Sequence, residues 1–351
     1  MRILTTDAGV RLLEPRRARL GAIAPDAEVW RLADDNRIVD ADGHPVGDDP
    51  GVADPEIAWF TEDTFARAGA IDTWTRVLAH SPGLRWLQTP ASGYVTFYDP
   101  LLERGVRVSG ARVNNIPIAE YVLRAVLDHY QQPGRWTEAQ ALRAWRPHQF
   151  REVNGTTWTI VGLGAIGSAI AVRSLAFGAR VVGVRRTPSG DEPDGVEVRS
   201  TGHLLDAVGQ ADIVVLSLPS TPATVGLVDA AFLDAMRPHS MLVNVARGSL
   251  IDEQALLVAL DDGRPEIAVL DAFATEPLPV THPFWDHPRV VVTPHTSAGG
   301  LSRHDRGADA FLANLRRYLH GEPLQHEVFA EQADPSGAII DLVPRDPGAA
   351  S

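Results

Sequence analysis

At 351 residues the chain is long enough for two domains with a core in each. It carries 32 basic and 45 acidic residues, a formal net charge of −13, and such a field repels nucleic acid and anionic lipid, so neither is expected as a partner. There is no cysteine and no lysine, which excludes disulfides, thiolate nucleophiles, cysteine-held metal clusters and Schiff-base chemistry. Arginine, histidine and carboxylates must carry any reaction, and no metal site is expected.

Met1–Asp7 runs straight into a strand-like segment and lacks the apolar core of a secretory leader, and no apolar run is long enough for a membrane span. Cytoplasmic residence is the default expectation. Arg2–Thr6, Ile57–Phe60, Trp86–Thr89 and Val106–Ser109 read as buried strands, and Ala66–Ala79 has helical spacing. Asp34–Pro55, rich in Asp, Gly and Pro, reads as a surface loop. Ile116–Tyr130 is a helix in which Pro117 is tolerated in the first turn.

From Thr157 a second alternation begins. Strand-like runs at Thr157–Val161, Arg180–Val184, Ile213–Leu218, Met241–Val245, Ile267–Leu270 and Val290–Thr293 are separated mostly by helical stretches. This is the pattern of an α/β protein with a doubly wound, mostly parallel sheet. Ala308–Leu319 reads as an amphipathic helix, and the tail over 331–351 is expected to be partly disordered.

Thr159–Ile170 joins an apolar strand to a helix through Gly162-Leu163-Gly164-Ala165-Ile166-Gly167. Gly162 permits the tight turn and Gly164 lets backbone approach a pyrophosphate. Gly167 lets helix and strand pack closely, and the helix start at Ala165 and Ile166 offers N–H groups to the phosphates. An NAD site calls for an acidic residue at the end of the next strand. Here Val184 is followed by Arg185-Arg186-Thr187, so a ribose 2′-phosphate is the better guest. NADP(H) is expected to be preferred, with NAD(H) as the alternative; the bland reading is a solvated arginine pair.

Three polar residues follow later strands: Arg247 after Met241–Val245, Glu276 after Ile267–Leu270, and His295 after Val290–Thr293. Ligands of open parallel sheets bind beyond the carboxyl ends of the strands, so the three side chains can converge there. Reducing a 2-keto acid needs a cation for the carboxylate and carbonyl, a hydride donor and an acid for the developing alkoxide. Arg247 supplies the charge, His295 the proton, and Glu276 would orient the imidazole. Singly, each has an ordinary structural reading; together, after a dinucleotide turn, they point to hydride chemistry.

These segments resemble the D-isomer-specific 2-hydroxyacid dehydrogenases. The likeness is carried by Val161–Gly167, Asp212–Thr224, Asn244–Asp252, Leu270–Pro279, Pro283–His295 and Asn314–Pro323, and runs from about Leu84 to Val328. Within the family the look is that of glyoxylate/hydroxypyruvate reductases. The resemblance implies two Rossmann-like domains: a flavodoxin-like substrate domain, residues 1–115 with 300–330, and a cofactor domain, residues 116–299. It also implies a homodimer. It assigns catalysis to Arg247, Glu276 and His295, the substrate carboxylate to Arg247 and the amides of Ser92 and Gly93, and the nicotinamide carboxamide to Asp271. Leu218, Pro219, Thr224 and Val245 fall to the cofactor pocket.

The chain departs from the family pattern in three places. Gly93-Tyr94-Val95 lacks the usual acidic residue, Ser109–Asn115 is one residue short, and Ser217 stands where histidine is common. Two other functions fit the same fold: a nucleotide-sensing corepressor, and a phosphoglycerate-type dehydrogenase. Formate enzymes of this kind carry glutamine at the position of Glu276, so the glutamate argues for a proton-coupled step.

Overall fold

The computed structural model describes residues 1–47, 49–90, 96–187, 190 and 192–328. By contacts the chain divides into two compact units, Met1–Val113 with the stretch from Leu301, and Asn114–Gly300. In chain order the strands are β1 (Arg2–Thr6), β2 (Glu28–Leu32), β3 (Ile38–Val39), β4 (Ile57–Trp59), β5 (Trp86–Thr89) and β6 (Arg107–Gly110). Then come β7 (Thr157–Val161), β8 (Arg180–Arg185), β9 (Val196–Ser200), β10 (Ile213–Leu216), β11 (Met241–Asn244), β12 (Ile267–Leu270) and β13 (Val290–Val292). β14 (Glu327–Val328) belongs to the first unit.

The first unit orders its strands β14-β6-β5-β4-β1-β2-β3. The central run β2-β1-β4-β5-β6 is parallel and has the flavodoxin order, while β3 and β14 close the edges antiparallel. Its core is aromatic. Phe311, on the helix Arg303–Leu319, stacks on Trp59 at 4.5 Å and on Trp86 at 5.4 Å between ring centroids. The stretch Asp34–Pro55, read as loop, contains the short β3, and β2 was hidden because its burial is only partial. The helix expected over Ala66–Ala79 is broken: Gly69 takes φ +73°, and the regular helix runs Ala70–Ala79.

In the second unit the order is β13-β12-β11-β10-β7-β8-β9, parallel throughout. Each strand of the middle is buried on both faces, which demands continuous apolar sequence. β10 shows it: Ile213 and Val215 pack beside Trp158 and Val243, while Val214 and Leu216 face Phe232, Leu256 and Phe284. The helix Asn115–Gln131 joins the first of these layers through Ile118, Val122, Val126 and Tyr130, each four residues from the next. It ends where Gln132 turns left-handed, at φ +50°, ahead of Pro133.

Register sets the site. Val184, Val161, Leu216, Asn244, Leu270 and Val292 pair successively across the sheet, so they form one row at its carboxyl edge. The order of strands reverses between β7 and β10, and a crevice opens at such a switch point. Everything that leaves the sheet beyond this row emerges on the same side. No helix among the described residues is long and apolar enough to cross a membrane.

Candidate active site

Gly162 follows β7 at φ +97°, and a Cβ there would stand 2.8 Å from the backbone of Leu218, which follows β10. A Cβ on Gly167 would meet the Gly162 carbonyl oxygen at 2.2 Å and the Ser217 hydroxyl at 3.0 Å. Ser217 in turn donates to the Gly162 carbonyl over 2.8 Å, tying the turn to the neighbouring strand. Gly164 is different: nothing lies within 4 Å of its missing Cβ. The helix Ala165–Ala176 starts beside this open space without a side-chain cap. Its first helical bond is Ser168 N–H to the Gly164 carbonyl, so the amides of Ala165, Ile166 and Gly167 precede the hydrogen-bonded ladder. The residues therefore fit a dinucleotide pyrophosphate: donors, a positive dipole end, and room made by absent side chains.

At the end of β8, Arg186 and Thr187 are exposed. Arg185 has a companion the sequence did not reveal. Its Nη1 bonds to Glu192 Oε1 over 2.9 Å, and Glu192 also accepts from the Gly190 amide at 2.8 Å. Beyond β10, Thr224 donates to the Pro219 carbonyl over 2.9 Å and accepts from the Thr221 amide at 2.7 Å, so the Leu218–Thr224 loop braces itself.

Arg247 is held by its backbone. The buried Asn244, last residue of β11, donates to the Arg247 carbonyl at 2.9 Å and accepts from the Ala246 amide at 3.0 Å. Val245 is buried between them. A Cβ on Gly248 would stand 1.8 Å from the Phe273 carbonyl carbon, so the arginine turn lies directly on the turn after β12. Burial pushes the Arg247 guanidinium down, Glu276 opposes this, and the group stays charged.

Glu276 closes its own turn by accepting from the Phe273 amide at 2.9 Å through Oε1. Its Oε2 lies 2.8 Å from His295 Nδ1. An ionised carboxylate only accepts, so Nδ1 carries the proton and Nε2 is left for exchange with a substrate. Burial pushes the Glu276 carboxyl up, but the bonds from His295 and the Phe273 amide and the charges of His295 and Arg247 outweigh it. The result lies below the usual carboxylate range.

His295 sits at φ +48°, in the left-handed region. The buried Asp271 fixes this turn by accepting from Thr293 Oγ1 at 2.6 Å, Thr296 N–H at 2.9 Å and Ser297 N–H at 2.9 Å. Since Thr293 donates to Asp271, it accepts from the Tyr121 hydroxyl, 2.7 Å away. Asp271 thus anchors the histidine turn from below, whatever it contributes to a nicotinamide.

The structure brings Glu276 and His295 into contact and sets Arg247 close enough to act on Glu276 electrostatically. Ser92 and Gly93, with Tyr94 and Val95, lie outside the described residues, as does the tail over 331–351. Asn244, Gly248, Tyr121 and Thr293 support the site without any role assigned from sequence. Asn244 and Thr293 carry one signal, a polar residue closing an apolar strand-like run; Tyr121, inside a helix, and Gly248, beyond β11, carry none.

The sequence profile described as D-isomer specific 2-hydroxyacid dehydrogenase, NAD binding domain, matches residues 123–297. The glyoxylate/hydroxypyruvate reductase B of Pectobacterium atrosepticum is 31% identical over 309 residues, covering 83% of this chain and 93% of that protein. The D-3-phosphoglycerate dehydrogenase of Mycobacterium leprae is 35% identical over 252 residues, 70% of this chain; the match spans only about half, 47%, of that longer protein. Among solved structures, a D-isomer specific 2-hydroxyacid dehydrogenase from Xanthobacter autotrophicus Py2, in complex with NADPH and MES, aligns at a TM-score of 0.70. It is 28% identical and covers 96% of this chain and 99% of that one. The chain belongs to the D-isomer-specific 2-hydroxyacid dehydrogenases.

Proposed function

We propose that the protein is an NADP(H)-preferring oxidoreductase that reduces a small 2-keto acid, of the glyoxylate or hydroxypyruvate kind, to the D-2-hydroxy acid. The observation that carries this reading is the 2.8 Å bond between Glu276 and His295, beside a charged and half-buried Arg247 at the carboxyl edge of the dinucleotide sheet. Bound nicotinamide supplies the hydride. Arg247 holds the substrate carboxylate and polarises the carbonyl. His295 donates the Nε2 proton to the oxygen that becomes the hydroxyl, and Glu276 keeps the ring in the tautomer and orientation that this requires. The substrate-binding role falls to the first unit and the cofactor to the second.

The amides of Ala165, Ile166 and Gly167 take the pyrophosphate. Arg186 and Thr187, exposed at the end of β8, take the 2′-phosphate, with Arg185 contributing less because Glu192 already compensates it. The NADPH complex of the Xanthobacter relative supports the same choice. Partner formation is proposed as a homodimer. Trp145 is 97% exposed and Leu142 58% exposed, just after the helix Pro133–Ala141, an apolar surface that a second copy would cover.

A panel of 2-keto acids assayed with NADPH and with NADH tests the reading. Reduction of glyoxylate or hydroxypyruvate, faster with NADPH, is expected. The likeness to phosphoglycerate dehydrogenases favours one rival, so D-3-phosphoglycerate oxidation with NAD belongs in the panel. That activity alone, with no keto-acid reduction, overturns the proposal.

A further inference from the structure

We infer that Glu253 is a positioning residue for the Glu276–His295 pair, acting with His282 to hold the turn from which Glu276 projects. This rests on the function proposed above.

Glu253 is the first residue of the helix Glu253–Asp261, but it does not cap that helix. Asp252 does so, accepting from the amides of Gln254 and Ala255. The Glu253 side chain is instead turned onto the neighbouring loop. Its Oε1 accepts from the Ala274 amide at 3.1 Å, and its Oε2 lies 3.3 Å from His282 Nε2. Both side chains are mostly covered, 18% and 16% exposed.

The bonding fixes the His282 tautomer. Nδ1 accepts from the Phe284 amide at 3.3 Å, so the proton is on Nε2 and is donated to Glu253. The imidazole also lies 4.6 Å from the ring of Phe284, which is fully buried, and Phe284 lies 6.4 Å from Phe273. His282 is therefore anchored in the core and holds Glu253 in place.

Two successive amides are thus gripped by two carboxylates: Phe273 N–H by Glu276, and Ala274 N–H by Glu253. Gly248 presses against the same peptide from the arginine turn. The aim of the Phe273 amide fixes Glu276, and Glu276 fixes the imidazole. Releasing the Ala274 N–H loosens the Phe273–Ala274 peptide, which lies between the Phe273 N–H and the Glu276 backbone, and so weakens the bond that joins them. The charged groups facing Glu276 are His295 and Arg247; the one facing Glu253 is His282.

The test compares Glu253→Ala, Glu253→Gln and His282→Phe with the wild type in kcat, NADPH binding, the pH profile of kcat/KM and amide hydrogen exchange. Glu253→Ala is expected to lower kcat about ten- to a hundredfold with NADPH affinity unchanged. The acid limb should move to higher pH, because the Phe273 bond that helps hold the Glu276 carboxyl low is weakened. Glu253→Gln keeps an acceptor for Ala274 but sets its NH2 against the His282 Nε2–H, so it should recover only part of the rate. His282→Phe keeps a ring against Phe284 and should fall between Glu253→Ala and the wild type, which serves if Glu253→Ala does not fold.

Exchange at the Phe273 and Ala274 amides should quicken in Glu253→Ala, a readout that does not depend on identifying the substrate. A wild type inactive on every keto acid refutes the functional reading alone. Wild-type kcat, acid limb and amide exchange in Glu253→Ala, whatever happens to its Tm, would overturn the positioning role.

Discussion

His295 Nδ1 donates to Glu276 Oε2 over 2.8 Å, although the two residues leave the sheet from different strands, β13 and β12. Neither is held by the other alone. Glu276 is also bonded to the Phe273 amide, and the histidine turn hangs from Asp271 through three hydrogen bonds. If His295 is the proton donor proposed above, its being held from both sides means that it loses little orientational freedom when substrate binds, which is where an acid catalyst gains its rate.

Acid pH tests the carboxylate. The folded Glu276 carboxyl lies below its ordinary value, because the His295 and Phe273 bonds and two positive charges outweigh burial. Its contribution to stability is therefore fully present above the range where a free glutamate titrates, and is lost as pH falls through the lower folded value. The acid limb of kcat/KM should lie below the range in which an ordinary glutamate titrates. Glu276→Gln should remove that limb and lower kcat on the order of 10²- to 10⁴-fold, measured by initial rates across pH.

Cofactor choice separates the two arginines. Arg186→Ala should weaken NADPH about ten- to a hundredfold, the loss of one charge-assisted bond, while NADH binding hardly changes. Arg185→Ala should cost less, since its guanidinium already meets Glu192 at 2.9 Å. Titration of each variant with both nucleotides measures this; equal losses for NADPH and NADH would remove the 2′-phosphate from the explanation.

Gly248→Ala should be costly for a steric reason. Its Cβ would stand 1.8 Å from the Phe273 carbonyl carbon, a backbone atom that cannot swing aside. Separating the two turns should destabilise the fold by about 1–3 kcal/mol and lower kcat as well, because Arg247 moves with Gly248. Thermal denaturation and turnover of the variant measure both effects.

How much of this was legible in the sequence depends on which residue is asked. Ile213–Leu218 read as a strand of the doubly wound sheet, which the structure ends at Leu216, and Gly162 and Gly167 stand where a turn needs a close approach. The doubly wound order followed from strand–helix alternation. Glu28–Leu32 was missed because its mixed charged and apolar residues match an edge-side strand only once β1 lies beside it. The break at Gly69 needed a backbone angle, not a propensity.

Within the site, Arg247, Glu276 and His295 stood out by residue type and by position after strands. Their supports did not. Glu192 reaches Arg185 from a loop, Asn244 works from inside the sheet, and Glu253 sits 21 positions from the amide it holds. Such contacts are made by tertiary folding, and no local pattern announces them.

The most direct measurement is the rate of 2-keto acid reduction by His295→Ala, taken together with its affinity for NADPH. A kcat lower by about 10²- to 10⁴-fold, with NADPH bound as tightly as by the wild type, is the predicted result. Near-normal turnover would contradict it, and would leave the imidazole at φ +48° beside Glu276 without a part in the chemistry.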